Sequence, residues 1–222
     1  MSIIAEPKLQ ALIDRLQAQS VAQEPATGAW FSERGKRGEL SWDGFDEKSH
    51  RYMADKLVAL EPPKAEFCHL MCRALGARRV VEVGTSFGVS TLYLADAVRA
   101  NGGGVVIGTE YEPEKAAAAH ANFAEAGLAD LIDLREGDLR ETLKVIEGPV
   151  DFVLMDIWTE MARPAIELIA PHLLPGAMVV ADNTTRVRQA YGPFLAFIED
   201  PRNGFSSMTL PFEGGLEVAV KA

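Results

Sequence analysis

Five apolar runs in this chain each end at or just before a carboxylate, and this repeated pattern constrains the fold more than any other feature. The runs are mostly rich in Val, Ile and Leu, and helix-like stretches separate them, which is typical of buried parallel strands joined by helices. In a parallel sheet the carboxyl ends of the strands lie along one edge, where open α/β folds hold their ligands. The pattern therefore predicts an α/β fold with an acidic, ligand-binding edge that carries Glu82, Glu110, Asp138, Asp156 and Asp182.

The C-terminal end of the chain predicts a hairpin. The segments GFSSMTLPF and LEVAVKA have the composition of strands, and the turn residues Glu213, Gly214 and Gly215 separate them. We expect these two segments to add an antiparallel pair at the edge of the otherwise parallel sheet.

The N-terminal end differs from the rest of the chain. Residues 4–19 have the period of an amphipathic helix, whereas the following stretch GAWFSERGKRGELSWDG has no period and contains Trp30 and Trp42. A mobile loop that carries aromatic residues often covers a ligand site; a surface loop anchored by its tryptophans is the alternative. We expect residues 1–60 to form an N-terminal helix and a lid-like segment, and residues 61–222 to form the main domain.

Composition and charge argue against two classes of partner. The chain has 222 residues, of which 48% are hydrophobic, enough for one large α/β domain with a short appended segment. Its formal net charge is −10, whereas a surface that follows nucleic-acid phosphates needs clustered Lys and Arg. No apolar run approaches the roughly 20 residues that span a bilayer, and the first residues lack the pattern of a secretion signal. We expect a cytoplasmic protein without a nucleic-acid or membrane partner.

The two cysteines lie on a predicted amphipathic helix. Cys68 and Cys72 are four residues apart with His69 between them, a spacing that a metal site could use. No second pair of ligands occurs elsewhere, and both thiols share an apolar helix face with Phe67 and Met71. We therefore expect reduced thiols in the core.

The turn after the first predicted strand has the composition of a ligand-binding loop. Gly84 and Gly88 allow a sharp turn and a close approach to a ligand, and the neighbouring hydroxyls and helix N-terminal amides can donate hydrogen bonds. Ser86 stands where a dinucleotide fingerprint needs its second glycine, so the spacing disfavours NAD. Glu110 can bind both hydroxyls of a ribose and Asp138 can meet an adenine amino group. Together these features fit S-adenosylmethionine better than a phosphate cofactor.

This loop resembles the first motif of the class I S-adenosylmethionine-dependent methyltransferases, E/D-x-G-x-x-x-G, from Glu82 to Gly88. The resemblance implies a Rossmann-like, seven-stranded, mostly parallel sheet with a C-terminal antiparallel hairpin and helices on both faces. It also implies that Glu110 holds the ribose. The predicted cofactor-binding residues are Glu82, Gly84, Thr85, Ser86, Gly88, Ser90, Glu110, Tyr111, Asp138, Leu139, Asp156 and Trp158.

A second group of acids follows the fourth and fifth predicted strands. Asp156 ends the fourth strand, and Asp182 and Asn183 end the fifth, so two carboxylates and an amide oxygen should lie close together. Three hard oxygen ligands with room for water and substrate suit Mg²⁺ or Ca²⁺. Alternatively, the two aspartates cap the helices that follow them and Asn183 makes a turn.

The main domain resembles, more narrowly, the metal-dependent catechol and caffeoyl-CoA type O-methyltransferases. In that family the fourth strand ends in a metal-binding Asp and the fifth in an Asp-Asn pair, which match Asp156, Asp182 and Asn183. The tryptophan two residues after Asp156, Trp158, resembles the catechol branch of the family. The family also has a lysine three residues after the first Asp, as the general base, but this chain has Thr159, whose hydroxyl cannot act as a base near neutral pH.

The predicted function follows from this resemblance. We expect an S-adenosylmethionine-dependent and Mg²⁺- or Ca²⁺-dependent O-methyltransferase, with Asp156 and Thr159 at catalytic positions and a small hydroxylated, aromatic, catechol-like acceptor. His50 and His172 are candidates to replace the missing base. The alternative is a non-catalytic S-adenosylmethionine-binding or scaffold protein that kept the fold and lost the base. The resemblance also implies a homodimer.

Overall fold

The computed structural model describes residues 3–40 and 46–222. Strands and helices alternate from the third helix onward, as the sequence predicts. The helices are α1 (Pro7–Lys36), α2 (Glu47–Met53), α3 (Pro62–Leu75), α4 (Val89–Ala100), α5 (Pro113–Ala126), α6 (Leu139–Thr142), α7 (Thr159–Ile169) and α8 (Gly192–Glu199). The strands are β1 (Arg79–Val83), β2 (Val105–Glu110), β3 (Ile132–Glu136), β4 (Val150–Met155), β5 (Leu173–Asp182), β6 (Phe205–Leu210) and β7 (Leu216–Lys221).

In the described part of the chain, the strands form one seven-stranded sheet in the order β3-β2-β1-β4-β5-β7-β6. Strands β3, β2, β1, β4 and β5 pair in parallel, and β7 is antiparallel to both β5 and β6. The predicted fold, a mostly parallel Rossmann-like sheet with a C-terminal hairpin, is therefore confirmed.

The strand order reverses beside β1. Strands β2 and β3 lie on one side of β1, and β4 and β5 lie on the other. Open α/β sheets bind ligands in the crevice outside the carboxyl ends of the strands at such a switch point. The predicted acids lie at these ends, since Glu110 ends β2, Asp156 follows β4 and Asp182 ends β5. The topology thus brings the predicted acids to one edge of the sheet.

Two apolar layers cover the sheet. Val80 of β1 belongs to the layer formed with α1, α3, α4 and α5, whereas its neighbour Val81 belongs to the layer formed with α6, α7 and α8. Successive side chains of a strand point to opposite faces, so a sheet covered on both sides needs apolar residues at consecutive positions. This requirement explains the unbroken Val, Ile and Leu runs in the sequence.

The N-terminal helix is longer than the sequence predicts. Helix α1 continues through Pro25 and Gly28 to Lys36, so the expected aperiodic segment is wrong up to that residue. Pro and Gly ordinarily signal a helix end, but local propensity is weak compared with tertiary contacts. The first half of α1 packs into the same core as α3 and α4. The domain boundary near residue 60 stays a prediction.

Contacts with α2 hold the last turns of α1. The buried Arg34 guanidinium donates to both carboxylate oxygens of Asp46, at 2.8 and 3.3 Å. This pairing and the hydrogen bonds around it lower the pKa of Asp46 to about 2, although burial acts in the opposite direction. Trp30 stacks on Tyr52, with ring centroids 4.0 Å apart. Trp42, the other predicted anchor, lies outside the described residues.

Two further expectations concern thiols and membranes. Cys68 and Cys72 are buried free thiols, as predicted. Within residues 3–40 and 46–222, no helix is both long enough and apolar enough to cross a bilayer.

Candidate functional site

The glycines of the β1–α4 turn are required by contacts within the protein. Gly84 has a φ of 95°, and a Cβ atom there would lie 2.0 Å from the backbone oxygen of Asp156. Gly88 has a φ of 83°, and its Cβ would lie 2.3 Å from the ring of Phe123. Both angles disfavour residues other than glycine. The turn therefore packs directly against the end of β4, in addition to any ligand that it approaches.

Glu82 is buried beneath this turn. The Thr85 hydroxyl donates to its carboxylate at 2.9 Å, and the Thr91 hydroxyl donates to the same oxygen. Burial disfavours the charged form and raises the pKa of Glu82 to about 7, although these hydroxyls oppose the rise. Glu82 therefore connects the end of β1 to the start of α4.

Glu110 connects the turn to the end of β2. The backbone amide of Ser86 donates to one carboxylate oxygen at 2.7 Å, and that of Glu112 donates to the other at 2.8 Å. Ser86 has a φ of 51°, in the left-handed region that residues other than glycine rarely adopt. Its buried hydroxyl has no hydrogen-bond partner among the described residues. Such an orphan polar group is expected where a ligand completes the site.

Asp138 lies at the predicted adenine position but already has a partner. It caps α6 and makes a two-oxygen ion pair with Arg140, whose closest contact is 2.6 Å. The Arg140 guanidinium lowers the pKa of this carboxyl. Leu139 beside it is buried, whereas Tyr111 is 69% exposed. An adenine amino group would therefore share the Asp138 carboxylate with the Arg140 guanidinium.

The predicted acids at the ends of β4 and β5 do come together. Burial raises the pKa of Asp156 well above its usual range, and the nearby charges of Asp182 and Glu82 act in the same direction. Burial likewise raises the pKa of Asp182, while Lys64 opposes the rise. These carboxyl groups are therefore close enough at this edge to affect one another's ionisation.

A lysine ammonium, which the sequence does not predict there, lies in this acid group. The Lys64 ammonium is 2.6 Å from Asp182 Oδ1 and 2.6 Å from Glu61 Oε2, and its side chain is only 2% exposed. Burial works against the charged form, but the pairing with Asp182 and Glu61 outweighs it and raises the pKa of Lys64. The residue is therefore a permanent cation at neutral pH.

The donor set at the end of β5 does not fit a divalent cation as the side chains lie. Asp182 Oδ1 faces the Lys64 ammonium, and Asp182 Oδ2 accepts a hydrogen bond from the Asn183 amide nitrogen at 3.0 Å. The Asn183 carbonyl oxygen points instead toward Gly214, buried and without a hydrogen-bond partner in the described structure. Both oxygens of Asp182 are thus engaged, and the two predicted ligands do not direct oxygens to one point.

The region around Thr159 includes an aromatic pair. Trp158 stacks on the imidazole of His50, with ring centroids 4.2 Å apart and an interplanar angle of 22°. His50 Nε2 lies 3.0 Å from a carboxylate oxygen of Glu160. His172, the other candidate base, directly precedes the first residue of β5, at the opposite end of that strand from Asp182. Of the two histidines, only His50 lies near Thr159.

Sequence reasoning missed Lys64 although a signal existed. Lys64, Cys68 and Cys72 are spaced by four residues on α3, so a lysine occupies the apolar face of a helix. A lysine on such a face needs a buried partner. Thr109 was also missed: its hydroxyl accepts from the Gly84 amide at 3.2 Å.

Comparisons with known proteins agree with this geometry. Residues 81–184 match the family model described as "Methyltransferase domain". This segment of the chain is therefore similar to a methyltransferase domain. The solved S-adenosylmethionine complex of the O-methyltransferase TomG from Streptomyces achromogenes superimposes with a TM-score of 0.67 and 25% identity, covering 81% of this chain and 91% of that one.

Two curated relatives are named catechol O-methyltransferase. The protein from Mycobacterium tuberculosis is 35% identical over 130 residues, 58% of this chain and 58% of the relative. The protein from Niastella koreensis is 32% identical over 137 residues, 58% of this chain and 59% of the relative. The matches thus span less than two thirds of each relative's length. The resemblance to S-adenosylmethionine-dependent O-methyltransferases is confirmed.

Proposed function

We propose that this methyltransferase domain is an S-adenosylmethionine-dependent O-methyltransferase that acts on a small hydroxylated, aromatic and catechol-like acceptor. The observation that carries the proposal is the Ser86–Glu110 connection at the switch point. It joins the glycine turn to the acid at the end of β2, and the buried Ser86 hydroxyl has no hydrogen-bond partner within residues 3–40 and 46–222. A ribose beside Glu110 and a methionine group along the turn would then occupy one crevice.

The protein's part in the reaction is to bind and orient the two reactants. When bound, the cofactor's sulfonium would supply an activated methyl group, so no protein nucleophile is needed. Each Glu110 oxygen accepts one amide and keeps a second lone pair for a ribose hydroxyl. Gly84, Thr85 and Ser90 line the turn proposed for the methionine end.

The acceptor side is proposed to lie at the start of α7. The stacked Trp158 and His50 rings offer an apolar, polarisable surface suited to an aromatic acceptor. Thr159 cannot accept the acceptor's proton, and we assign that role to His50, which Glu160 orients. This assignment gives Asp156 the role of shaping the electrostatics beside the acceptor oxygen.

The proposal includes no step through a metal ion. The sequence predicts Mg²⁺ or Ca²⁺ at Asp156, Asp182 and Asn183, but Lys64 already engages this group. The homodimer and the cytoplasmic location stay predictions.

The experiment is a methyl-transfer assay on a panel of catechols and monophenols. We expect S-adenosylhomocysteine to form together with a singly methylated product, detected by mass spectrometry. Binding of S-adenosylmethionine without transfer to any acceptor would favour the non-catalytic alternative. Calorimetry that shows no binding of S-adenosylmethionine or S-adenosylhomocysteine would contradict both readings.

A further inference from the structure

The most unusual charged group in the described structure is Lys64. Its ammonium carries the only positive charge that contacts Asp182 among the described residues, and it does so from a side chain that is almost fully buried. Lysine is rarely buried unless it is paired, because desolvation of the charge is costly. The fold therefore places a fixed cation at the carboxyl end of β5.

The approach of α3 explains this placement. Lys64 lies in the first turn of α3, and Glu61 immediately precedes the helix, so both side chains reach the same point. Cys68, one turn further along α3, is close enough to the acids that their charges add to the effect of burial in raising its thiol pKa. One face of α3 thus lies against the ends of β4 and β5.

A divalent cation at this point would have to displace the ammonium. Such a displacement would leave a buried, positively charged side chain without Asp182, and removing one partner of a buried pair is strongly destabilising. The cation would also have to break the hydrogen bond from the Asn183 amide to the second Asp182 oxygen. Lys64 therefore competes directly with metal binding.

We propose that Lys64 takes the place of a divalent cation at the end of β5, so that this chain neither binds nor requires a metal there. The inference deepens the proposed function and rests on it for its catalytic meaning. The ammonium compensates the charge of Asp182, which reduces the repulsion between this edge and an acceptor oxygen that becomes anionic. Lys64 is a positioning residue, since its buried side chain acts through Asp182.

The test is a titration with Mn²⁺, followed by the loss of its free-ion electron paramagnetic resonance signal. The proteins are wild type, Lys64→Met and Lys144→Met. Lys144 is a matched control, because it also pairs with a glutamate three residues earlier, Glu141, at 2.5 Å, but on the exposed surface. We expect no saturable site in wild type or Lys144→Met, and a gain of affinity on the order of 100-fold or more in Lys64→Met, because a like charge is removed from the site.

Two results of the titration would overturn the inference. The first is saturable Mn²⁺ binding by wild type that Asp182→Asn abolishes. The second is a folded Lys64→Met protein that binds no Mn²⁺, because the acids would then not form a cation site that Lys64 fills. If Lys64→Met does not fold, the wild-type titration still decides.

A chelator experiment adds a second readout. The wild-type methylation rate should be unchanged in excess chelator, and a rate that is lost in chelator and restored by Mg²⁺ would overturn the inference. If no acceptor is methylated at all, the proposed function fails, while the Mn²⁺ titration still tests the role of Lys64.

Discussion

Two halves of the same sheet edge compensate their acids in different ways. On the proposed cofactor side, at the ends of β1 and β2, backbone amides and nearby hydroxyls donate to Glu82 and Glu110. On the proposed acceptor side, at the end of β5, the ammonium of Lys64 arrives on a separate helix to meet Asp182. The hydroxyls that donate to Glu82 come from Thr85 and Thr91, which are close to it in the sequence. Lys64 is far from Asp182 in the sequence, so the compensation on the acceptor side depends on the packing of a separate helix.

The largest expected effect tests the cofactor-side turn. Gly84→Ala should destabilise the protein by about 3 kcal/mol or more, because its Cβ would clash with the Asp156 backbone at a strained φ. Gly76→Ala is the control, with a φ of 61° and no atom within 4 Å of the added Cβ, and should lose only about 1–2 kcal/mol. Urea unfolding measures both. Equal losses would show that the contact between turn and β4 carries no special strain.

The next effect concerns the buried acid of the cofactor side. Burial raises the pKa of Glu82 from its ordinary value of 4.5 to about 7, so the native state holds a proton that the unfolded chain releases. Its contribution to the unfolding free energy is fully present below pH 4.5 and is lost as the pH rises to about 7, by about 3 kcal/mol. Glu82→Gln should remove this part of the pH dependence.

Urea unfolding between pH 4.5 and 8 tests that expectation. The exposed Glu114→Gln protein should keep the wild-type profile. A Glu82→Gln profile parallel to wild type would mean that other groups, such as Asp156 and Asp182, produce the whole slope.

A smaller effect, on the affinity for S-adenosylmethionine, tests the cofactor side alone. Glu110→Ala should weaken S-adenosylmethionine binding by about 10- to 100-fold, the range expected for hydrogen bonds to a charged group. Glu112→Ala is the control, since only the backbone amide of that residue contacts Glu110. Calorimetry gives both affinities. Unchanged binding by Glu110→Ala would remove the ribose role from the end of β2.

The smallest effect concerns the acceptor side. Thr159→Lys should raise the methylation rate near neutral pH by about tenfold, less than the 10²–10⁴-fold of a well-placed general base, because it would add a second base beside His50, to which we assign the proton. Thr159→Met is the control of similar bulk without a base. The measurement is the rate against pH on catechols of graded acidity. If the two variants behave alike, His50 already accepts the proton efficiently, or the acceptor is not a phenol.

The parallel strands and their acidic ends could be predicted because the signals are local and periodic. A strand buried on both faces needs consecutive apolar residues, and its end is marked where the polarity changes, as at Glu110. The spacing of Gly84 and Gly88 likewise identified the turn, although the structure shows that Asp156 and Phe123 contribute to the need for glycine.

The extent of α1 could not be predicted for the opposite reason. Pro25 and Gly28 locally favour a break, while the contacts that hold the last turns come from residues beyond the helix, such as Asp46 and Tyr52. Which of the two prevails, the local preference for a break or the tertiary contacts, depends on packing energies that a local sequence pattern does not contain.

The sequence by itself determined an α/β chain with a glycine turn and acids gathered at one edge, because strand period and parallel topology place strand ends together whatever the side chains contact. Only the tertiary structure decided what neutralises those acids. Lys64 and Asp182 are far apart in the chain, and their 2.6 Å contact exists because α3 packs over the end of β5. The ionic environment of a buried carboxylate depends on every group that burial brings near it, and that set is a property of the fold.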